Sequence, residues 1–208
     1  MNMLKIIAYI IVFSYTAIVI LLYLFQTKLI FYPGKLSPDF KFKQGEEIFL
    51  NTADDEQINA LFFRGERPEV VLYFHGNAGD LRGWQFVAED FTQYGYSILI
   101  IDYRGYGKSS GTIAEDGFYK DAEAAYYYLI NKKRFTPQTI IVYGRSIGSG
   151  VAVDIASKHR IHGLVLESPY TSLGQLAKEK FPFFFPSLYL KYKFDNLEKM
   201  GQVKSPVV

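Results

Sequence analysis

The chain has no cysteine among its 208 residues. That absence excludes disulfides, thiolate metal sites and cysteine nucleophiles together. Histidine is scarce, with three copies, so a reaction that needs an imidazole base has few places to find one. No charge of one sign dominates: 23 Lys and Arg stand against 21 Asp and Glu, for a net charge of +2. So small an excess argues against nucleic acid as a partner. Internal repeats and low-complexity linkers are missing too. The balance of 49% hydrophobic to 21% charged residues excludes a disordered chain. The length suits one domain with a good core.

What is present first is an uncharged run, residues 6–25, "IIAYIIVFSYTAIVILLYLF". At about 1.5 Å per residue such a helix spans roughly 30 Å, the thickness of a bilayer's hydrocarbon core. A cleaved signal peptide would want a shorter apolar core and a small-x-small cleavage site, and "FQTKLIFYPG" offers neither. Residues 1–26 are therefore expected to be a single-pass anchor and residues 27–208 the body. Lys5 precedes the run, while Lys28, Lys35, Lys41 and Lys43 follow it. The positive-inside rule leans toward a cytoplasmic body, though this excess is too small to fix the side.

After Pro33-Gly34 the pattern becomes globular. "EIFLNT" and "INALFFR" read as strands around the turn "ADDEQ". "EVVLYFH", "YSILIIDYRG", "TIIVYG" and "HGLVLES" are apolar runs, as expected of strands covered on both faces. Helical spacing separates them: Leu81, Trp84, Val87 and Phe91, ended by Gly95; then Phe118, Ala122, Ala125 and Leu129; then "IGSGVAVDIASKH". Alternating strand and helix predicts an α/β fold, a mostly parallel sheet with helices on both faces.

Three strand ends carry motifs. "GRSIG" is G-x-S-x-G at a strand-to-helix junction, a turn that lifts a serine, here Ser146, out as a nucleophile. The helix that follows aims its free N–H groups at developing negative charge. An acyl-transfer site also needs two backbone donors for the oxyanion. One is expected from Ile147, the residue after the serine. The other is expected from Asn77, in the turn "HGNAG". Taken alone, "HGNAG" would read as a tight turn with a helix cap. Gly107-Lys108-Ser109 ends like a P-loop, but position 102 is Asp where that motif needs Gly. Nor does G-x-G-x-x-G fit: after Gly148 and Gly150 the third place is Val153. No nucleotide cofactor is expected.

The order "HGNAG", "DYRGYGKSSG", "GRSIGSG", "LESPYTSL" resembles the α/β-hydrolase superfamily. More narrowly the chain is similar to the membrane-anchored serine hydrolases of the ABHD type, which include enzymes that remove acyl chains from proteins. The resemblance covers the chain from about residue 4 onward. It implies a Ser-Asp-His hydrolase of esters or thioesters, without metal or cofactor. The expected partners are an acyl substrate, lipidated in some relatives, and a membrane.

In that family the acid and then the histidine follow the serine in chain order. The acid would follow the strand after "LVLES", and "KSPVV" resembles its opening residues. The sheet is thus expected to lack its last two strands, and the chain to be incomplete and inactive or nearly so. His159 and His162 lie past the Ser146 helix, about 20 Å away on the opposite sheet edge. His75 sits on the correct edge, where the family resemblance gives it a packing role under the oxyanion turn; it is a substitute base only by default. Glu167 also ends a strand on that edge and is a substitute acid, yet an acid without a histidine leaves the triad open. A non-catalytic, membrane-tethered binding protein with the same fold is the competing expectation. Residues 181–194, "FPFFFPSLYLKYKF", read either as a lid or acyl-binding wall near the bilayer, or as a helix packed over the sheet.

Overall fold

The structure, a computed structural model, describes residues 2–208. It opens with helix α1, Met3–Ile30, whose first turn is capped by the Asn2 side chain accepting from the Leu4 N–H. The helix runs past residue 26 because nothing breaks it before Pro33; Phe31 and Tyr32 then turn extended, as a residue before proline must. It is long and apolar enough to cross a membrane. Its last turn already belongs to the body: Gln26 and Phe31 are buried.

In chain order there follow β1 (Tyr32–Pro33), β2 (Glu46–Asn51), β3 (Gln57–Phe63), β4 (Val70–Phe74) and β5 (Ala78–Gly79). Next come α2 (Leu81–Trp84), α3 (Val87–Thr92), β6 (Ser97–Ile101), α4 (Glu115–Asn131) and β7 (Ile140–Arg145). Then α5 (Gly148–Lys158), β8 (Gly163–Glu167), α6 (Leu173–Lys180) and α7 (Asn196–Met200) complete the sequence of elements.

The main sheet has the order β2-β3-β6-β4-β7-β8. β2, β3 and β6 pair antiparallel, while β6, β4, β7 and β8 pair parallel. Residues 206–208 add a parallel ladder beside β8: Leu164 N–H donates to Pro206 and Leu166 N–H to Val208. The "PVV" segment thus lies where the resemblance puts the next strand.

The apolar runs are explained by two-sided burial. In β4, Val70, Leu72 and Phe74 face a core closed by α4 and α5, while Val71 and Tyr73 face a second core closed by α2 and α3. One expectation changes here. The predicted helix over 81–91 is two short helices, because i→i+3 bonds, Ala88 N–H to Gln85 and Glu89 N–H to Phe86, replace the α-helical ladder between them. The apolar spacing survives, since both pieces bury the same face.

The loop after β6 is pinned by a buried charge cluster. Arg104 donates through its backbone N–H, Nε and Nη2 to Asp121 of α4, and through Nη1 and Nη2 to both oxygens of Asp54. This loop matters for the site, because its tyrosines hold the neighbouring turn: Tyr103 donates to the His75 carbonyl at 2.8 Å and Tyr106 to the Asn77 carbonyl at 2.9 Å.

Residues 181–194 form no continuous helix, and only their C-terminal end, Tyr192 and Phe194, is buried in the main core. They make two 3-10 turns, Pro182–Phe184 and Pro186–Leu188, each with proline in its first turn. Two prolines this close cannot continue one α-helix.

Candidate active site

β7 and α5 meet at Ser146. The residue is exposed and holds φ +53°, a left-handed conformation rare for serine. Its N–H donates to the Glu167 carbonyl at 2.8 Å, which ties the turn to the end of β8. The tight approach of α5 to β7 and to the end of β4 requires both flanking glycines. A β-carbon on Gly144 would lie 2.6 Å from that of Ala152, and one on Gly148 would lie 2.7 Å from the His75 carbonyl oxygen. The backbone therefore stores strain at this serine and presents it at the carboxyl edge of the parallel strands.

Asn77 stands across from it, in the turn after β4. The Gly76 Cβ position would be 4.0 Å from the Ser146 Cβ, so the two turns are neighbours. Asn77 is held on three sides. Its carbonyl accepts from the Tyr32 N–H and the Tyr106 hydroxyl, and its side-chain Nδ2 donates to the Ile30 carbonyl at 2.6 Å. The backbone N–H groups of Asn77 and Ile147 donate to no partner among the described residues. Two neighbouring turns, each with one idle donor, have the form an oxyanion site needs.

Ser146, Asn77 and Ile147 line one pocket of about 260 Å³ with Tyr170. Leu173, Leu176 and Ala177 supply one wall, at the i, i+3, i+4 spacing of α6. Leu29 and Ile30 of α1 supply another, and Lys180, Phe181 and Leu190 complete it. Away from Ser146, Asn77, Tyr170 and Lys180 the lining is apolar, which suits a hydrocarbon chain better than a polar ligand.

His75 is buried, and both its ring nitrogens are turned away from Ser146. Nδ1 meets the Gly76 carbonyl at 2.7 Å and Nε2 faces Asp102 Oδ1 at 3.4 Å. Trp84 stacks on the ring at 5.4 Å, and Tyr103 and Tyr106 close its other sides. Burial pushes the Asp102 carboxyl above its usual range, against the pull of His75. The pair is a buried polar strut beneath the Asn77 turn. Glu167 also has other work: its carboxylate accepts from the Tyr143 hydroxyl at 3.0 Å and pairs with Arg145 Nε at 3.2 Å. His159 binds Glu123 and His162 the Gln138 carbonyl, both far along the sheet from Ser146. No histidine among the described residues faces the Ser146 hydroxyl.

Sequence reasoning did not foresee the walls supplied by α6 and by the end of α1. The apolar spacing of Leu173, Leu176 and Ala177 was readable. The role of Leu29 and Ile30 was not, since it follows from how the helix docks.

The model of the alpha/beta hydrolase fold matches residues 69–205. An uncharacterized protein of Mycobacterium tuberculosis is 31% identical over 189 residues, covering 88% of this chain and 67% of its own length. The alpha/beta hydrolase domain-containing protein 17C of Mus musculus is 34% identical over 169 residues, covering 78% of this chain. The chain spans about half, 51%, of that mouse protein. Among solved structures, the Pyrococcus furiosus esterase Pf2001 superposes with a TM-score of 0.68 at 21% identity, over 86% of this chain and 74% of the esterase. Family match, relatives and sheet order converge on a single conclusion: this chain belongs to the α/β-hydrolase fold family, in its ABHD-type branch.

Proposed function

We propose that the chain is a single-pass membrane-anchored serine hydrolase of esters or thioesters, lipidated substrates included. The observation that carries this reading is the left-handed Ser146 sharing one apolar pocket with the idle N–H groups of Asn77 and Ile147. Ser146 Oγ attacks the acyl carbon, and the resulting oxyanion is held by those two N–H groups and by the N-terminal end of α5. Collapse expels the alcohol or thiol, which takes up a proton, and leaves an acyl-serine that water hydrolyses.

The attack needs a base to receive the Ser146 proton. The family order puts the acid and the histidine after β8, and no described residue substitutes for them. Hydrolysis by these 208 residues alone is therefore expected at the residual level that a nucleophile and oxyanion site retain without their triad. A non-catalytic binding protein that keeps the pocket is the second reading, favoured by the engagement of His75 and Glu167 elsewhere.

A fluorophosphonate probe separates them. The 208-residue chain in membranes should show at most slow labelling, abolished in Ser146→Ala. A chimera in which the C-terminal part of the mouse relative follows Val208 should label rapidly and lose the label in Ser146→Ala. Rapid labelling of the chain alone would overturn the residual-activity expectation. A folded chimera that never labels would overturn the hydrolase reading in favour of a binding protein.

A further inference from the structure

We infer that residues 181–190 form a second membrane-embedded element, a short re-entrant hairpin lying against α1 within the leaflet next to the body. The inference rests on the reading of α1 as a membrane span.

Four observations carry it. First, "FPFFFPSLYL" contains no charge, and lysines stand at its edges, Lys180 before it and Lys191 and Lys193 after it. Second, its large side chains point outward: Phe183 is 80% and Leu188 83% exposed, with Phe181 and Phe185 exposed beside them. A contiguous apolar surface of this kind on a soluble face would invite association.

Third, the segment touches α1 along the apolar run as well as α6 of the body. Phe184 stacks on Tyr15, and the Tyr15 hydroxyl donates to the Phe183 carbonyl at 3.0 Å. At the other end the Tyr192 and Thr27 hydroxyls meet at 2.6 Å, and the Lys191 N–H donates to Gln26 Oε1. Tyr15 and Thr27 are about 18 Å apart along the helix axis, and the 3-10 rise of about 2 Å carries the segment over that distance. Tyr15 lies midway along residues 6–25, so any bilayer that holds α1 also meets the hairpin.

Fourth, much of the backbone is already paired within the protein. Pro182 and Pro186 have no N–H to satisfy. The N–H groups of Phe184, Leu188, Tyr189 and Leu190 bond within the hairpin and the Phe183 carbonyl is served by α1, while the N–H groups of Phe183, Phe185 and Ser187 bond no described residue. Irregular backbone at membrane depth is tolerated only where protein packs against it, as Tyr15 of α1 does at Phe183 and Phe184. Lys191 lies over the Tyr23 ring at 4.5 Å, the kind of pairing found at the headgroup level. Because Lys180, Phe181 and Leu190 also line the Ser146 pocket, the pocket rim sits at the bilayer surface.

The absence of cysteine makes the test direct. Single cysteines are placed at Phe183, Leu188, Ile11, Phe86 and Tyr94, all exposed positions, and labelled with an environment-sensitive fluorophore in the full chain. The chain is reconstituted in phosphatidylcholine vesicles and probed with spin-labelled lipid and with aqueous iodide. Labels at Phe183 and Leu188 should follow Ile11, quenched several-fold more by lipid than by iodide, while Phe86 and Tyr94 behave oppositely. Lipid quenching at Ile11 together with iodide quenching at Phe183 and Leu188 would overturn the hairpin and leave the anchor standing. Iodide quenching at Ile11 itself would show that the anchor reading failed, and the inference would fall with it.

Discussion

Gly148→Ala is expected to cost about 3 kcal/mol or more, the upper end for a methyl forced into a packed core. The added β-carbon would collide with the Phe74 carbonyl oxygen and lie 2.7 Å from that of His75. Both are backbone atoms at the end of β4, so no side chain can swing aside. Either α5 lifts from the sheet or the β4 turn moves, and each response displaces one of the two pocket-lining residues with an idle N–H, Ile147 or Asn77. Intrinsic helix propensity pulls the other way by about 1 kcal/mol, and the collision wins. For a chain of this size the loss corresponds to a fall of about 6–12 °C in the unfolding midpoint. Gly83→Ala is the matched control: nothing lies within 4 Å of the new methyl, so the change should be neutral or stabilising by up to about 1 kcal/mol. Calorimetry on both variants decides the matter. Equal midpoints would mean that the contact between α5 and the end of β4 is looser than the geometry indicates.

Arg104→Met should be comparably severe, about 3–5 kcal/mol, because it leaves a buried carboxylate without its partner. Asp121 has no exposed side-chain surface, and Arg104 gives it two side-chain donors and one backbone donor. Burial already pushes the Asp121 carboxyl up to about 6, and Arg104 opposes that shift. Removing the guanidinium deletes the opposing attraction, so the folded state should take up a proton at Asp121. The sign follows from linkage. A carboxyl whose folded pKa exceeds its unfolded value of 3.8 is favourable at low pH and loses that contribution as pH rises through the folded pKa. The variant's deficit should therefore grow between pH 5 and pH 8, measured by urea unfolding at a series of pH values. Arg104→Met combined with Asp121→Leu should recover most of the loss, since a buried ion pair replaced whole is often neutral. A single variant with a pH-independent deficit would contradict this account.

Much of the fold was legible because its chemistry is local. Val70 to Phe74 is apolar at every position, and that marks a strand covered on two faces without any knowledge of its neighbours. Gly144 and Gly148 bracket Ser146 because only glycine permits the approach, so the strained turn was written in the spacing. The pocket walls were not. Leu29 and Ile30 read as the tail of an apolar run, and only the docking of α1 makes them a wall. His75 shows the limit from the other side. Its place at a strand end admitted a chemical role, and the choice between base and strut depended on Asp102, distant in the sequence, being turned toward it. Residues 181–194 admitted two readings, a lid or acyl-binding wall and a packed helix, and the two prolines rule a continuous helix out.

The short ladder between β1 and β5 has a practical meaning for anyone trimming this chain to make it soluble. Tyr32 N–H and the Ile30 carbonyl both bond Asn77, and Gly34 N–H bonds Gly79. A cut before Gln26 leaves these stitches in place, together with the Lys191 bond to Gln26. A cut at Pro33, the natural boundary to the eye, severs the two stitches on Asn77 and leaves its carbonyl to Tyr106 alone. What looks like a tether ending at the domain surface is, over its last turn, scaffolding for the turn opposite Ser146.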